Sequence, residues 1–154
     1  TSTARGSSCP AKPRLREAVP HLTIEYSANV AEHHDIDALV EAVHTAALSH
    51  GLPPLDALRT RAAVRDHYLI ADGSAPETFA FIAIAARIGP GRDAASKLSF
   101  IETVLDAAER YIDATSCPLS IAWSIELNEI DPEFRINRNY VRRHLNALKE
   151  DNNG

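Results

Sequence analysis

Four arginines are the first residues in this chain whose type and spacing suggest chemistry. Arg59, Arg61 and Arg65 lie at even spacing in "LRTRAAVRD", and Arg92 lies in "IGPGR". On a strand, alternate positions aim Arg59 and Arg61 at one face. Two guanidiniums on one face can hold a carboxylate through paired hydrogen bonds. Arg92 follows an apolar run and precedes a helix start, and loops at strand ends are where sites are built. The ordinary readings are a solvated edge strand for the first group and a helix-flanking surface residue for Arg92. Pro20 opens a strand pattern, "PHLTIEYSANV", where proline is tolerated because the first residue of a strand need not donate to the ladder.

Other chemistries lack their residues. No glycine-rich loop with a following lysine cradles phosphate, and the two glycines of "IGPGR" are a weak signal alone. No serine sits in a nucleophile elbow. His33 and His34 are adjacent, which is not a helical ligand spacing. They read as a solvated loop, with no metal site. The two cysteines, Cys9 and Cys117, have no metal spacing and form no disulfide framework, so a reducing, cytoplasmic setting is expected.

The chain has 154 residues, 45% hydrophobic and 24% charged, the balance of one soluble globular domain. A net charge of −5 gives no basic field for nucleic acid, so none is expected as a partner. An anionic ligand must therefore be held by locally placed cations. No apolar run reaches membrane-spanning length. Residues 1 to 19 carry four cations without an apolar core segment, unlike a secretory signal.

The elements that must position the arginines follow from periodicity. Residues 1–19, rich in Ser, Pro, Ala and Arg, show neither period and read as a disordered extension. Residues 20–150 form the domain. Leu22, Ile24 and Tyr26 alternate with polar residues as a half-buried strand. Asp35 caps a helix whose apolar residues run from Ile36 to Leu48, and Gly51 with Pro53 and Pro54 stops it. A second strand is expected through Arg61 to Ile70, with "ADGS" as its turn. "TFAFIAIAARI" (78–88) reads as a strand buried on both faces. Asp93 caps a second helix with Leu98, Ile101, Val104, Leu105, Ala108, Tyr111 and Ile112 inward. Leu119, Ile121, Trp123, Ile125 and Leu127 alternate as a fourth strand. Tyr140, Val141, Leu145 and Leu148 suggest a short C-terminal helix, solvated or at a subunit contact.

The order is two consecutive β-α-β units, an α/β (α+β) fold with four strands and two helices on one face. Right-handed crossovers make the strands of each unit parallel. The uncovered sheet face calls for a further layer, so an oligomer is expected.

"PHLTIEYSANV", "GLPPLDALRTR", "ADG", "FAFIAIAARIGPGR" and "LSIAWSIELNEIDPEFRINRNYV", in this order from Pro20 to about Leu148, resemble the 5-carboxymethyl-2-hydroxymuconate isomerase family of the tautomerase superfamily. The resemblance implies a homotrimer of two-unit subunits and a cofactor-free isomerase of homoprotocatechuate catabolism. Its substrate is an enol with two or three carboxylates. It implies that Pro20, as a free N-terminal secondary amine, is the catalytic base. Arg59 and Arg92 match the family's site arginines, catalytic and substrate-binding, and Arg61 is a nearby substrate-binding residue. Residues 62–68, "AAVRDHY", and the long turn "ADGSAPET" depart from the family pattern. A different 2-hydroxymuconate or a phenylpyruvate-like enol is therefore a further candidate substrate.

One conflict stands in the sequence itself. Pro20 follows Val19, so its nitrogen is an amide without a basic lone pair. Val19 stands where the family has its initiator methionine, and an internal GTG encodes valine. A start at that codon would expose Pro20 once methionine is removed, which makes residues 1–19 a start-site artefact. Otherwise the extension is cleaved after Val19, or the domain persists as a non-catalytic trimer that binds anionic small molecules.

Overall fold

A computed structural model of the protein describes residues 20–154. The expectation of a disordered extension concerns residues outside these. The strands are β1 (His21–Ser27), β2 (Arg59–Arg65), β3 (Phe79–Ile88) and β4 (Ser120–Glu129). The helices are α1 (Ile36–His50), α2 (Ala94–Ala114) and α3 (Tyr140–Asn152), with short 3₁₀ turns at Ala28–Glu32 and Pro132–Phe134. The sheet order is β2-β1-β3-β4. β1 pairs β2 in parallel and β3 pairs β4 in parallel, as a helical crossover within each unit requires. The two units meet where β1 runs antiparallel to β3.

The helix boundaries follow the capping chemistry. The Asp35 side chain accepts from the Ala38 amide and that of Asp93 from the Ser96 amide, at 3.3 and 2.7 Å. Gly51 ends α1 at φ 83°, a left-handed conformation that residues with a Cβ avoid. α1 and α2 lie together on one sheet face. Beneath them Leu22 and Ile24 of β1 meet Ile82, Ile84 and Ile88 of β3 and Phe100 and Val104 of α2, all essentially without solvent contact. Each such side chain contributes about 1.5–3 kcal/mol by leaving water.

Four expectations need correction. Leu98 of α2 is exposed rather than inward, and Phe100 takes the buried place on that helix. β2 spans Arg59 to Arg65, shorter at its far end and longer at its start than the Arg61–Ile70 reading. Its partner β1 ends at Ser27, opposite Arg65, so the ladder has nothing further to pair with. The chain then turns through Ala71 and Gly73, both at positive φ. β3 is buried on one face only. Ala80, Ile82, Ile84, Ala86 and Ile88 are covered by the helices, while Phe79, Phe81, Ala83 and Ala85 are half-buried and Arg87 is exposed. The run looked continuous because small alanines occupy the open face. That open face is also less apolar than expected. The large apolar residues of β4, Ile121, Trp123, Ile125 and Leu127, point to the helix layer, leaving Ser120, Ala122, Ser124 and Glu126 outward.

α3, capped by the Asn139 side chain on the amides of Val141 and Arg142, has 13 residues and buries none of them. It is tethered rather than packed. Asn139 donates to the Asp56 carbonyl at 2.8 Å, and Arg142 pairs with the Asp56 carboxylate. No described helix is long and apolar enough to cross a membrane.

Candidate active site at the head of the central strand

The sheet topology gathers one end of every strand at the same place. β1 and β2 start there, and β3 and β4 finish there, because β3 runs antiparallel to β1. Pro20 is buried at the head of β1, and its carbonyl accepts from the Arg59 amide at 3.2 Å. That bond starts the β1–β2 ladder, so the two residues are held together by backbone rather than by flexible side chains.

Register then decides which side chains meet. His21 lies opposite Arg59 on one side and Arg87 on the other, and Thr23 lies opposite Arg61. Period-two alternation aims His21, Arg59, Arg61 and Arg87 at the open face. Arg59 Nη1 lies 3.5 Å from His21 Nε2, and Arg61 Nη1 lies 3.2 Å from His21 Nδ1. The tether of α3 to Asp56 brings the preceding segment across, so that the Arg135 charge is felt at His21. Burial, then Arg59, Arg61, Arg135 and Arg87, holds the His21 imidazole below the usual histidine pKa. Burial, followed by Arg59 and Arg87, likewise lowers the pKa of the Arg135 guanidinium. A chain of net charge −5 thus concentrates four guanidiniums around one imidazole. Such a concentration is suited to an anion with more than one charge.

Arg92 lies at the same end of the sheet but is turned to a structural contact. Its Nη2 donates to the Leu52 carbonyl at 3.1 Å, tying the β3–α2 loop to the α1–β2 loop. Arg65 is taken out of the group by Glu25, 3.1 Å away. Pro20, Arg59 and Arg61 are thus brought together, and Arg92 lies in an adjoining loop. The structure adds His21, Arg87 and Arg135, which sequence reasoning missed. For His21 and Arg87 the signal was present, since both occupy the odd-numbered open face of their strands. Arg135 has no periodic signal because it stands in an irregular segment.

The histidine pair departs from the solvated-loop expectation. His33 is exposed, but His34 is 6% exposed, with Nδ1 2.7 Å from Thr115 Oγ1 and Nε2 3.2 Å from Cys117 Sγ. Thr115 Oγ1 donates to the Ile112 carbonyl, so it accepts from the ring, which fixes Nδ1 as the protonated nitrogen. His34 clamps the start of α1 to the α2–β4 loop, at the opposite end of the sheet from Pro20.

Residues 20–145 match the model of a family described as 5-carboxymethyl-2-hydroxymuconate isomerase. The chain is 27% identical over 123 residues to the 5-carboxymethyl-2-hydroxymuconate Delta-isomerase of Escherichia coli, covering 80% of this chain and 96% of that protein. The crystal structure of a 5-carboxymethyl-2-hydroxymuconate isomerase from Deinococcus radiodurans R1 aligns with a TM-score of 0.75 at 25% identity, over 84% of this chain and 96% of that one. A fused 4-OT symmetric trimer shares the fold, with a TM-score of 0.55 at 17% identity over 77% and 93% of the two chains. The four-stranded α+β architecture and the match from Pro20 into the first turns of α3 agree, and the chain belongs to the 5-carboxymethyl-2-hydroxymuconate isomerase family of the tautomerase superfamily.

Proposed function

We propose that this protein isomerises 5-carboxymethyl-2-hydroxymuconate to its conjugated 2-oxo isomer, in homoprotocatechuate catabolism, with Pro20 as the proton-transferring group and no cofactor. The observation that carries this reading is the position of Pro20: buried, bonded through its carbonyl to Arg59, and next in sequence to the residue on which four arginine charges converge.

The chemistry follows from those groups. A free N-terminal amine titrates near 7.7–8.0 in model peptides. Burial and neighbouring guanidiniums disfavour its protonated form, which brings the amine towards operating pH. The neutral Pro20 nitrogen removes the proton from the enol hydroxyl, and the charge spreads through the diene as a dienolate. The protonated nitrogen then returns a proton to carbon, leaving the conjugated ketone. One group serves as base and then as acid. Arg59 and Arg61 hold the carboxylates and stabilise the developing oxyanion. Arg92 has a second guanidinium nitrogen free of the Leu52 contact for the same purpose. In the homotrimer a neighbouring subunit covers the open sheet face and closes the site.

The reading requires Pro20 to be a mature N-terminus, with residues 1–19 absent through a start at codon 19 or through cleavage. The intact mass of the protein expressed from its native gene, with its own upstream region, decides this. A chain beginning at Pro20 is expected, and replacing Pro20 by Ala in it should lower kcat by roughly 10²–10⁴. Undiminished turnover in Pro20→Ala would sink the shuttle. The amide bond between Val19 and Pro20 in the sequence favours a second reading, a non-catalytic trimer that binds anionic small molecules. It predicts a retained Thr1 and binding without turnover. A relative acting on another enol carboxylate differs from both in substrate alone, and a panel of 2-hydroxymuconates and phenylpyruvate enol separates it.

A further inference from the structure

The His21 imidazole lies between two guanidiniums, and its own valence satisfies only one of them. A neutral imidazole has one N–H and one lone pair, whereas arginine offers donors alone. The shorter contact, 3.2 Å from Arg61 Nη1, assigns the lone pair to Nδ1. The proton then sits on Nε2, which faces Arg59 Nη1 at 3.5 Å, donor against donor. Protonating the ring does not relieve this. Arg61 would lose its acceptor, and a further cation would join Arg59 and Arg61 on β2, Arg87 on β3 and Arg135 on the segment before α3. Burial and those charges keep the ring neutral instead. Two donors directed at one space are completed by an acceptor with several lone pairs, and a carboxylate is such an acceptor.

We propose that His21 is a substrate-contacting residue: its Nε2–H and the Arg59 guanidinium donate to one carboxylate, while its Nδ1 accepts from Arg61 and fixes that arginine for another. The inference rests on the reading of Arg59 and Arg61 as carboxylate holders and adds a division of labour between them. It specifies a ligand with two carboxylates, one read by the His21–Arg59 pair and one by Arg61.

The test is calorimetric binding of cis,cis-muconate to the full chain at neutral pH. This dicarboxylate has no enol hydroxyl, so binding is read without turnover. His21→Asn keeps an acceptor near the Nδ1 position and loses the Nε2 donor; His21→Gln places an amide donor near Nε2. The wild type is expected to bind, with His21→Ala and His21→Asn weakened roughly tenfold, the loss of one hydrogen bond to a charged group. His21→Gln should recover most of the affinity. Nitrogen NMR of the His21 ring should show the Nε2–H tautomer, and a muconate-dependent shift confined to that nitrogen. Absence of binding by the wild type, affinity in His21→Asn equal to wild type, or an Nδ1–H tautomer would each overturn the proposal. Should His21→Ala fail to fold, the Asn and Gln pair gives the answer. Muconate binding with this variant pattern, alongside no isomerisation by a chain that begins at Pro20, would refute the proline shuttle and leave the His21 assignment standing.

Discussion

Replacing Arg59 by Met gives the sharpest separation of architecture from charge. Arg59 is exposed, and its backbone amide makes the bond to the Pro20 carbonyl, a bond that methionine keeps. Stability should therefore change by no more than about 0.5 kcal/mol. The guanidinium carries the rest. Loss of a charge-assisted bond to a carboxylate, about 1.5–3 kcal/mol, raises KM in the chain beginning at Pro20, or Kd for muconate, by roughly 10- to 150-fold. A second, independent readout comes from His21, whose imidazolium is disfavoured by burial and then by Arg59 more than by any other arginine. Removing that cation must raise the His21 pKa towards the ordinary histidine value of 6.5. Replacing Arg87 by Met, the weakest of the four influences, should raise it less. Proton NMR titration of the ring, with KM measured on the same samples, checks both parts. An unchanged KM together with an unchanged His21 titration would refute the reasoning, as would a larger pKa rise in Arg87→Met than in Arg59→Met.

Two other perturbations test the frame away from the arginines. Asn29 is buried, its Nδ2 donates to the Phe79 carbonyl at 2.7 Å and its Oδ1 accepts from Ser27 Oγ, so Asn29→Ala should cost roughly 1–3 kcal/mol of stability and leave muconate affinity unchanged, measured by urea unfolding and calorimetry. His21 and His34 both have lowered folded-state pKa values, burial being the first cause in each, so the unfolded chain takes up protons that the fold resists. The stability they give is present above about pH 6.5 and is lost as pH falls from there through the lowered folded values. Urea midpoints should therefore drop between pH 7.5 and pH 5, and His34→Gln should flatten part of the slope; a midpoint that rises on acidification contradicts this.

The layout was legible because each element carried its own local signal. Asp35, Gly51 and Asp93 mark helix ends by capping chemistry, and Leu22, Ile24 and Tyr26 mark a strand by alternation. The errors arose where a local pattern was settled by a partner. β2 ends at Arg65 because β1 ends opposite it, which no property of "AAVRDHY" reveals. β3 read as buried on both faces because alanine is equally at home under a helix layer and on a half-open face. Within the site, Arg59 and Arg61 stood out by spacing. His21 was overshadowed by the proline before it, Arg87 by the apolar run around it, and Arg135 by lying in irregular chain. Their convergence depends on strand register and on the Asn139 and Arg142 tethers to Asp56, which are long-range facts. His34 was misplaced for the same reason, since its partners Thr115 and Cys117 lie some 80 residues away.

The central place of β1 has a consequence for how the molecule comes into being. Among the described strands β1 is synthesised first, yet it is bracketed by β2 and β3, so both its edges wait for these partners until much later chain has been made. His21 meets Arg59 38 positions on, and Arg87 later still. Non-local pairing of this kind is slow because loop closure must precede any reward. A site assembled at the head of β1 therefore cannot exist in a partly folded unit: the β1–β2 half alone lacks Arg87, and the β3–β4 half lacks His21 and Pro20. Amide exchange of Ile24 and its neighbours should accordingly proceed only through global opening, and binding competence and folding should appear in a single kinetic step.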